Sequence, residues 1–413
     1  MTQTAQTLTD FPVDAVPAFP MPRAAGCPFD PPPGMTALRS ARPVSTVRMW
    51  DGRNAWLITD YEHARALLAD PRVSSDTTQP NYPFSSPGLM ARRKQSRTFI
   101  NMDNPEHQQL RRMVTSSFSI RRVEQMRPRI QAIVDGLIDD MLSGPNPCDL
   151  VQALALPVPS LIICELLGVP YEDREFFHHN TKTLVSRTAT PDEAMAAQQA
   201  LLDYLGGLIT TKKTQPGDDV LTRLSRRVEN GELSQREAAD MASLLLVAGH
   251  ETTANMIALG TAALLQHPEQ LAELQKDEPD PATVAASVEE LLRYLTIVHN
   301  GRSRVALADI TVGDVTIAAG DPLIIASDTA NRDATAFADP DRLDIHRDAR
   351  RHVAFGYGVH QCLGQPLARV ELQVVYATLY RRIPTLRLAT DLEQLPFKHE
   401  SAVYGLHELP VAW

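Results

Sequence analysis

The stretch AFGYGVHQCLGQPLA, residues 354–368, sets one cysteine among three glycines and a histidine, directly ahead of a helical pattern. That pattern is GQPLARVELQVVYATLYRRIP. Pro366 suits its first turn, Arg381 and Arg382 its last, and Pro384 lies just beyond. Leu367, Val370, Val374 and Thr378 fall on one face at helical spacing. Cys362 therefore stands just before a helix N-terminus, where unpaired N–H groups and the helix dipole favour a thiolate. Gly358 and Gly364 let the loop fold tightly enough for N–H groups to reach the sulfur. A thiolate presented in this way serves as a nucleophile, a redox thiol or a metal ligand. The plain alternative is a small buried thiol in a glycine-rich turn.

The surroundings narrow the choice. Of 413 residues, 43% are hydrophobic and 22% charged, ample for a large core. Forty basic against fifty acidic side chains give a formal net charge of −10, and no dense basic run offers a footprint for nucleic acid. The longest apolar runs, such as SLLLVA at 243–248, fall short of the roughly 20 residues of a membrane span. The start, MTQTAQTLTDFPVDAVPAFP, lacks a basic region followed by an apolar block, so it is no secretory signal. A cytoplasmic protein with neither membrane nor nucleic-acid partners is expected. The four cysteines, Cys27, Cys148, Cys164 and Cys362, contain no CxxC and are too scattered for a disulfide framework. Cys164, in PSLIICELLGVP, is expected to be a small buried hydrophobe.

Residues 1–40, with CPFDPPPGM at 27–35, read as a proline-rich arm wrapped over the body. The motifs that carry chemistry spread from His107 to Cys362, which favours one domain over residues 41–413. An Asp-Gly turn between TVRMW and NAWLITD predicts a β-hairpin. Helical patterns dominate from DYEHARALLAD onward, until residues 301–326 switch to short alternating runs with glycine turns. The fold class expected is mainly α with a small β region, α+β.

Three further segments carry chemistry. AGHETTA, at 248–254, lies inside LSQREAADMASLLLVAGHETTANMIALGTAALLQHP. Ser234 and Glu237 form a capping-box pattern and Pro268 closes the segment. The helix predicted there runs about 32 residues, or roughly 48 Å. Its middle is apolar nearly all round, so Glu251, Thr252 and Thr253 need partners. Thr252 can bond back to the carbonyl of Ala248 and bend the helix. EELLR places Glu290 and Arg293 three apart, by itself a common solvated pair. NPEHQQLRRMV places His107 and Arg111 on one helix face, donors suited to buried carboxylates.

Together these motifs resemble a known family. FGYGVHQCLG fits Phe-x-x-Gly-x-His-x-Cys-x-Gly in Phe355, Gly358, His360, Cys362 and Gly364, and looks like the haem-ligand loop of the cytochrome P-450 haem-thiolate monooxygenases. AGHETTA is similar to the family's oxygen-activation motif. EELLR resembles its buried Glu-x-x-Arg brace, and NRDATAF the segment that meets the brace, with Ala334 departing from the commonest proline. The resemblance covers roughly residues 28–413. PSLIICELLGVPYEDREFF and LPFKHESAVYGLHELPVAW look most like the soluble actinobacterial branch.

The resemblance implies a triangular helical body around a buried haem b, with the Cys362 thiolate on the iron, where its electron donation favours O–O cleavage. His107, Arg111, Arg304 and His360 would hold the propionates, with Phe355 and Gly364 also in the cofactor site. Glu251 and Thr252 would relay protons to bound dioxygen, and Glu290 and Arg293 would brace the cysteine loop. The family's layout puts Phe84, Ser85, Leu89, Val185, Leu245 and Ala248 in the substrate pocket, completed by Ile297, Val298, Val403 and Tyr404. Electrons would come from a ferredoxin and its NAD(P)H-dependent reductase, met by a basic face of Arg72, Arg112, Arg350 and Arg351. The expected protein is a monomer that hydroxylates or epoxidises an apolar small molecule, such as a terpenoid, polyketide, steroid or drug-like compound. Nitric oxide reductases and peroxide-driven members typically lack the acid–alcohol pair, so Glu251 and Thr252 argue against both. A haem sensor without turnover leaves that pair unexplained.

Overall fold

The computed structural model describes residues 16–24 and 26–413. Helices occupy most of the chain. The first seven are α1 (Pro33–Ala41), α2 (Tyr61–Ala69), α3 (Pro87–Gln95), α4 (Glu106–Thr115), α5 (Ile120–Ser143), α6 (Pro157–Leu167) and α7 (Arg174–Val185). They are followed by α8 (Pro191–Thr211), α9 (Val220–Glu229), α10 (Gln235–Leu265), α11 (Pro268–Leu274), α12 (Pro281–Leu295), α13 (Ser327–Ala330) and α14 (Gln365–Arg382). Residues 1–15 and 25 of the expected arm lie outside the described residues. In the remainder Pro33 opens α1, and Phe19 and Met35 are buried against the sheet.

α10 is the axis. Ser234 caps it as the pattern predicts: its Oγ accepts the Glu237 N–H at 3.2 Å, and the Ser234 N–H donates to Glu237 Oε2 at 2.8 Å. Its 31 residues span roughly 46 Å. Apolar side chains are buried around its whole circumference, so α6, α8, α9 and α14 can pack about it, and α14 packs in turn on α5. Pro268 opens α11 after α10 has ended at Leu265. α14 buries Leu367, Val370, Val374 and Thr378, the face expected from their spacing. Its tyrosines cross to α10, where Tyr376 Oη donates to the Met256 carbonyl at 2.6 Å and Tyr380 Oη meets Thr261 Oγ1 at 3.2 Å. A Cβ at Gly260 would lie 2.0 Å from Tyr376 Oη; only glycine permits that approach.

The predicted hairpin is β1 (Val44–Arg48) paired antiparallel with β2 (Asn54–Ile58). A short β3 (Val73–Ser74) follows. The late strands are β5 (Arg302–Ala306), β6 (Ile310–Val312), β7 (Val315–Ile317) and β8 (Pro322–Ile325). A three-stranded sheet joins β4 (Cys148–Asp149), β9 (Arg387–Leu388) and β10 (Pro410–Ala412). The late strands are not an isolated insertion. β8 pairs in parallel with β2, giving one sheet ordered β1-β2-β8-β5-β3. Such a pairing between segments far apart in sequence leaves no local signal. Residues two apart on a strand share a face, so β5 presents Arg302 and Arg304 on the same side, toward the cysteine loop.

Candidate active site

The loop before α14 is held by its own backbone. The Cys362 N–H donates to the Phe355 carbonyl at 2.8 Å, and Gly356 and Gly358 both take φ of 74°. At Gly358 a Cβ would come within 2.7 Å of the Leu68 carbonyl oxygen on α2, so glycine is required twice over. Cys362 is exposed to the cavities beside it, while protein packs around the rest of the thiol. Burial pushes the thiol up. Opposing this are the Gly364 N–H, the Arg302 and Arg111 guanidiniums and the Gln365 N–H, all of which favour the thiolate. A cation at the sulfur would complete what these groups begin.

Beside the thiol lies a cluster of donors without an anion. His107 and His360 stack with ring centroids 4.1 Å apart. His107 Nδ1 meets Asn104 Oδ1 at 3.2 Å, while His107 Nε2 and His360 Nδ1 are buried with no partner. Burial, then Arg304, His107 and Arg111, hold the His360 imidazole down at about 3. Burial and Arg111 likewise lower His107. Arg111 donates to the Gln361 carbonyl at 2.6 Å and Arg304 to its neighbour's carbonyl on Ser303 at 2.8 Å. Arg302, which sequence reasoning missed, donates to the Ala354 carbonyl at 2.7 Å and to Ser327 Oγ. Among the described residues none of these five side chains has a carboxylate within ion-pair distance. Two orphaned imidazole nitrogens and three guanidiniums suit a ligand with two carboxylates, and a haem's propionates fit that need. The strand alternation around Arg304 could have found Arg302.

On the opposite wall, α10 turns its side chains back onto its own carbonyls. Thr252 Oγ1 donates to Ala248 O at 2.8 Å, as anticipated, His250 Nδ1 meets Leu246 O at 2.8 Å, and Asn255 Nδ2 donates to Glu251 O at 2.8 Å. Burial alone would raise the Glu251 carboxyl. His250, 3.7 Å away, together with Lys398 at 3.9 Å and the more distant His178, outweighs it and holds the group at about 2. Glu251 is therefore a carboxylate at neutral pH. Lys398 is fixed in turn by Asn255 Oδ1 at 3.0 Å. Neither Lys398 nor the pairing of His250 with Thr181 Oγ1 at 3.0 Å was legible in the sequence. On α14, both oxygens of Glu371 are buried without a hydrogen-bond partner. Burial pushes this carboxyl up to about 8, with nearby Thr253 only partly opposing.

Three cavities share Thr252 in their walls. The largest, about 320 Å³, is lined by Ser85, Leu89, Val185, Ala248, Val298 and Val403 among others. A second, about 170 Å³, reaches Cys362 past Leu245, Phe355 and Gly364. The third, about 130 Å³, includes Ile297, Val298 and Cys362. Eight of the ten expected pocket residues thus line the void. Phe84 and Tyr404 do not. Phe84 is turned against Tyr82 with centroids 4.9 Å apart, its carbonyl taken by Trp50 Nε1. Tyr404 is covered by Arg23, whose guanidinium lies 4.1 Å from the ring centre. That contact comes from the far end of the chain.

Glu290 and Arg293 are wholly buried and joined by two hydrogen bonds of 2.7 and 2.8 Å. Arg293 spends its remaining donors on the carbonyls of Asn331, Pro340 and Arg342. Asn331 Oδ1 then accepts the Val353 N–H at 2.8 Å, at the threshold of the cysteine loop. Of the four arginines expected on a basic face, Arg72 is held by Asp70 and Arg350 by Asp348. Arg351 donates to the Ala336 carbonyl. Arg112 is exposed beside Val359, itself 56% exposed.

Relatives carry the same architecture. The cytochrome P450 family model matches residues 210–386. "Cytochrome P450 GfsF" of Streptomyces halstedii is 52% identical over the whole of both chains. "Vitamin D3 dihydroxylase" of Streptomyces griseolus is 48% identical, again over both full lengths. The crystal structure of the mycinamicin VIII C21 methyl hydroxylase MycCI from Micromonospora griseorubida, bound to mycinamicin VIII, superposes with a TM-score of 0.90. It shares 44% identity and covers 96% of this chain and 100% of its own. The thiol, the anion-seeking cluster and a full-length identity of 52% lead to one conclusion: the chain belongs to the cytochrome P450 family and is a haem-thiolate monooxygenase.

Proposed function

We propose that residues 41–413 form one catalytic domain that hydroxylates an apolar small molecule of terpenoid, macrolide or secosteroid type. Electrons would come from a ferredoxin and its reductase, and the protein would work as a cytoplasmic monomer. Cys362 ligates the haem iron, and His107, Arg111, Arg304 and His360, joined by Arg302, hold the propionates. The observation that carries this reading is that Thr252 lines all three cavities, two of which also touch Cys362 while the third is a mostly apolar chamber. Two relatives, a vitamin D3 dihydroxylase and a mycinamicin VIII C21 methyl hydroxylase, support the substrate class.

Bound haem supplies an iron that activates dioxygen; the chain supplies the protons and the position. Thr252 Oγ1 faces the void while its hydrogen rests on Ala248 O. Turning the hydroxyl toward the void breaks a single bond and offers a proton there. Glu251, kept ionised by His250 and Lys398, accepts a proton from its outer side and returns it toward the cavity. Leu89, Val247 and Val298 exclude water and hold the substrate over the thiol side.

Thr252→Ala tests this. The variant should bind haem and ligand and consume NADPH, yet release hydrogen peroxide in place of product. Glu251→Gln should instead slow the whole cycle, and Thr253→Ala should follow the parent, because one residue along a helix turns a side chain by about 100°. Product and peroxide per NADPH are measured for all four proteins. Parental coupling in Thr252→Ala would remove the proton-delivery role.

A further inference from the structure

The 320 Å³ chamber is mostly apolar, yet three arginines line it: Arg92 and Arg93 from α3, and Arg187. Its two carboxylates are already engaged. Asp240 accepts from Ser96 Oγ at 2.5 Å and from Arg236 at 3.2 Å. Glu251 is held from behind by His250 and Lys398. Arg187 donates to the His399 carbonyl. Arg92 has only a long contact to Gln198 Oε1, at 3.5 Å, and its Nε is buried without any partner. For Arg93 no hydrogen bond or ion pair is found among the described residues. Burial, with Arg93 adding, lowers Arg92 to about 9, and burial lowers Arg93 too.

Withdrawing a guanidinium from water without a counter-ion costs several kcal/mol. Two side by side on one helix also repel each other. Both side chains are half-buried, and among the described residues no carboxylate pairs with either; a ligand can. We propose that Arg92 and Arg93 form an anion site in the substrate chamber, and that the substrate carries a carboxylate on an otherwise apolar body. A carboxylate can accept from both guanidiniums at once, and charge-assisted pairs of this kind are the strong ones. The apolar body then runs along Leu244, Val247 and Val298 toward Thr252, so oxidation falls at a carbon remote from the acid group. The inference rests on the reading of this chamber as the substrate site.

The test uses ferric holoenzyme and two matched pairs of probes, dodecanoic acid with its methyl ester and dehydroabietic acid with its methyl ester. Binding is read from the Soret shift. The acid of at least one pair should bind the parent about tenfold or more tightly than its ester. Arg92→Gln and Arg93→Gln should each reduce the preference, and the double variant should abolish it, with ester affinity unchanged. Each variant's reduced carbon monoxide spectrum reports an intact haem-thiolate site. Esters that bind as well as acids, a preference that survives the double variant, or silence from all four probes would overturn the anion site. None of those results touches the monooxygenase reading, which fails separately if the parent lacks the thiolate spectrum.

Discussion

Glu371 is a buried acid whose ionisation the fold resists. Its folded-state value of about 8 lies above the ordinary glutamate value of 4.5. Between those two values the unfolded chain has released the proton and the folded chain retains it. Stability therefore falls as pH rises through that window, by an amount on the order of a few kcal/mol. Glu371→Gln cannot ionise, so its stability should change less between pH 5 and pH 8 than the parent's. Urea midpoints for both proteins across that range check the slope, and equal slopes would place the Glu371 charge in contact with solvent. At this scale the sequence was readable where chemistry is packed into a short motif. Cys362, His360 and Thr252 stand where their spacing put them. Arg92, Arg302 and Lys398 went unread because their significance lies in what surrounds them, and those neighbours come from other segments.

Among the elements, the brace shows how local spacing and distant contact combine. Glu290 and Arg293 are neighbours on α12 by helical periodicity, and this much is written in EELLR. That the pair is buried, and that Arg293 has an acceptor for each of its five donors, depends on carbonyls roughly forty to fifty residues away. Glu290→Ala strips the guanidinium of its counter-charge in a dry site and should destabilise the protein by about 3–5 kcal/mol. Chemical denaturation measures this. A loss within about 0.5 kcal/mol, the range of ordinary surface changes, would show that the carbonyls alone suffice. The same contrast holds for the strands: the β1–β2 hairpin was legible from its Asp-Gly turn, whereas the β2–β8 pairing that builds the main sheet was not.

Over the whole molecule, the formal charge of −10 repels an acidic protein at long range. An acidic electron donor must find a local exception. Arg112 is the uncommitted candidate, exposed next to Val359 and one helix position from Arg111, while Arg72 and Arg350 are largely neutralised by their aspartates. Arg112→Glu should slow first-electron transfer from a ferredoxin severalfold at low salt and less at high salt, since about 0.1 M ions already screen beyond roughly 10 Å. Stopped-flow reduction under carbon monoxide gives the rate, and a variant as fast as the parent at low ionic strength would move the docking face elsewhere.

The tyrosine contacts between α14 and α10 have a bearing on how the chain is made. Tyr376 meets the Met256 carbonyl 120 positions earlier in sequence. A ribosome adding about 5–20 residues per second needs on the order of ten seconds to cover that interval. Throughout it, one flank of the long buried helix stands bare, and Gly260 leaves a notch on it that the arriving tyrosine fills. The metal-binding thiol emerges within the same interval, later than everything it must face except α14 and the strands beyond. Newborn chains thus pass through a stage in which a greasy helix is complete and its cover is still being translated, and a chaperone that shields such surfaces has its natural client there.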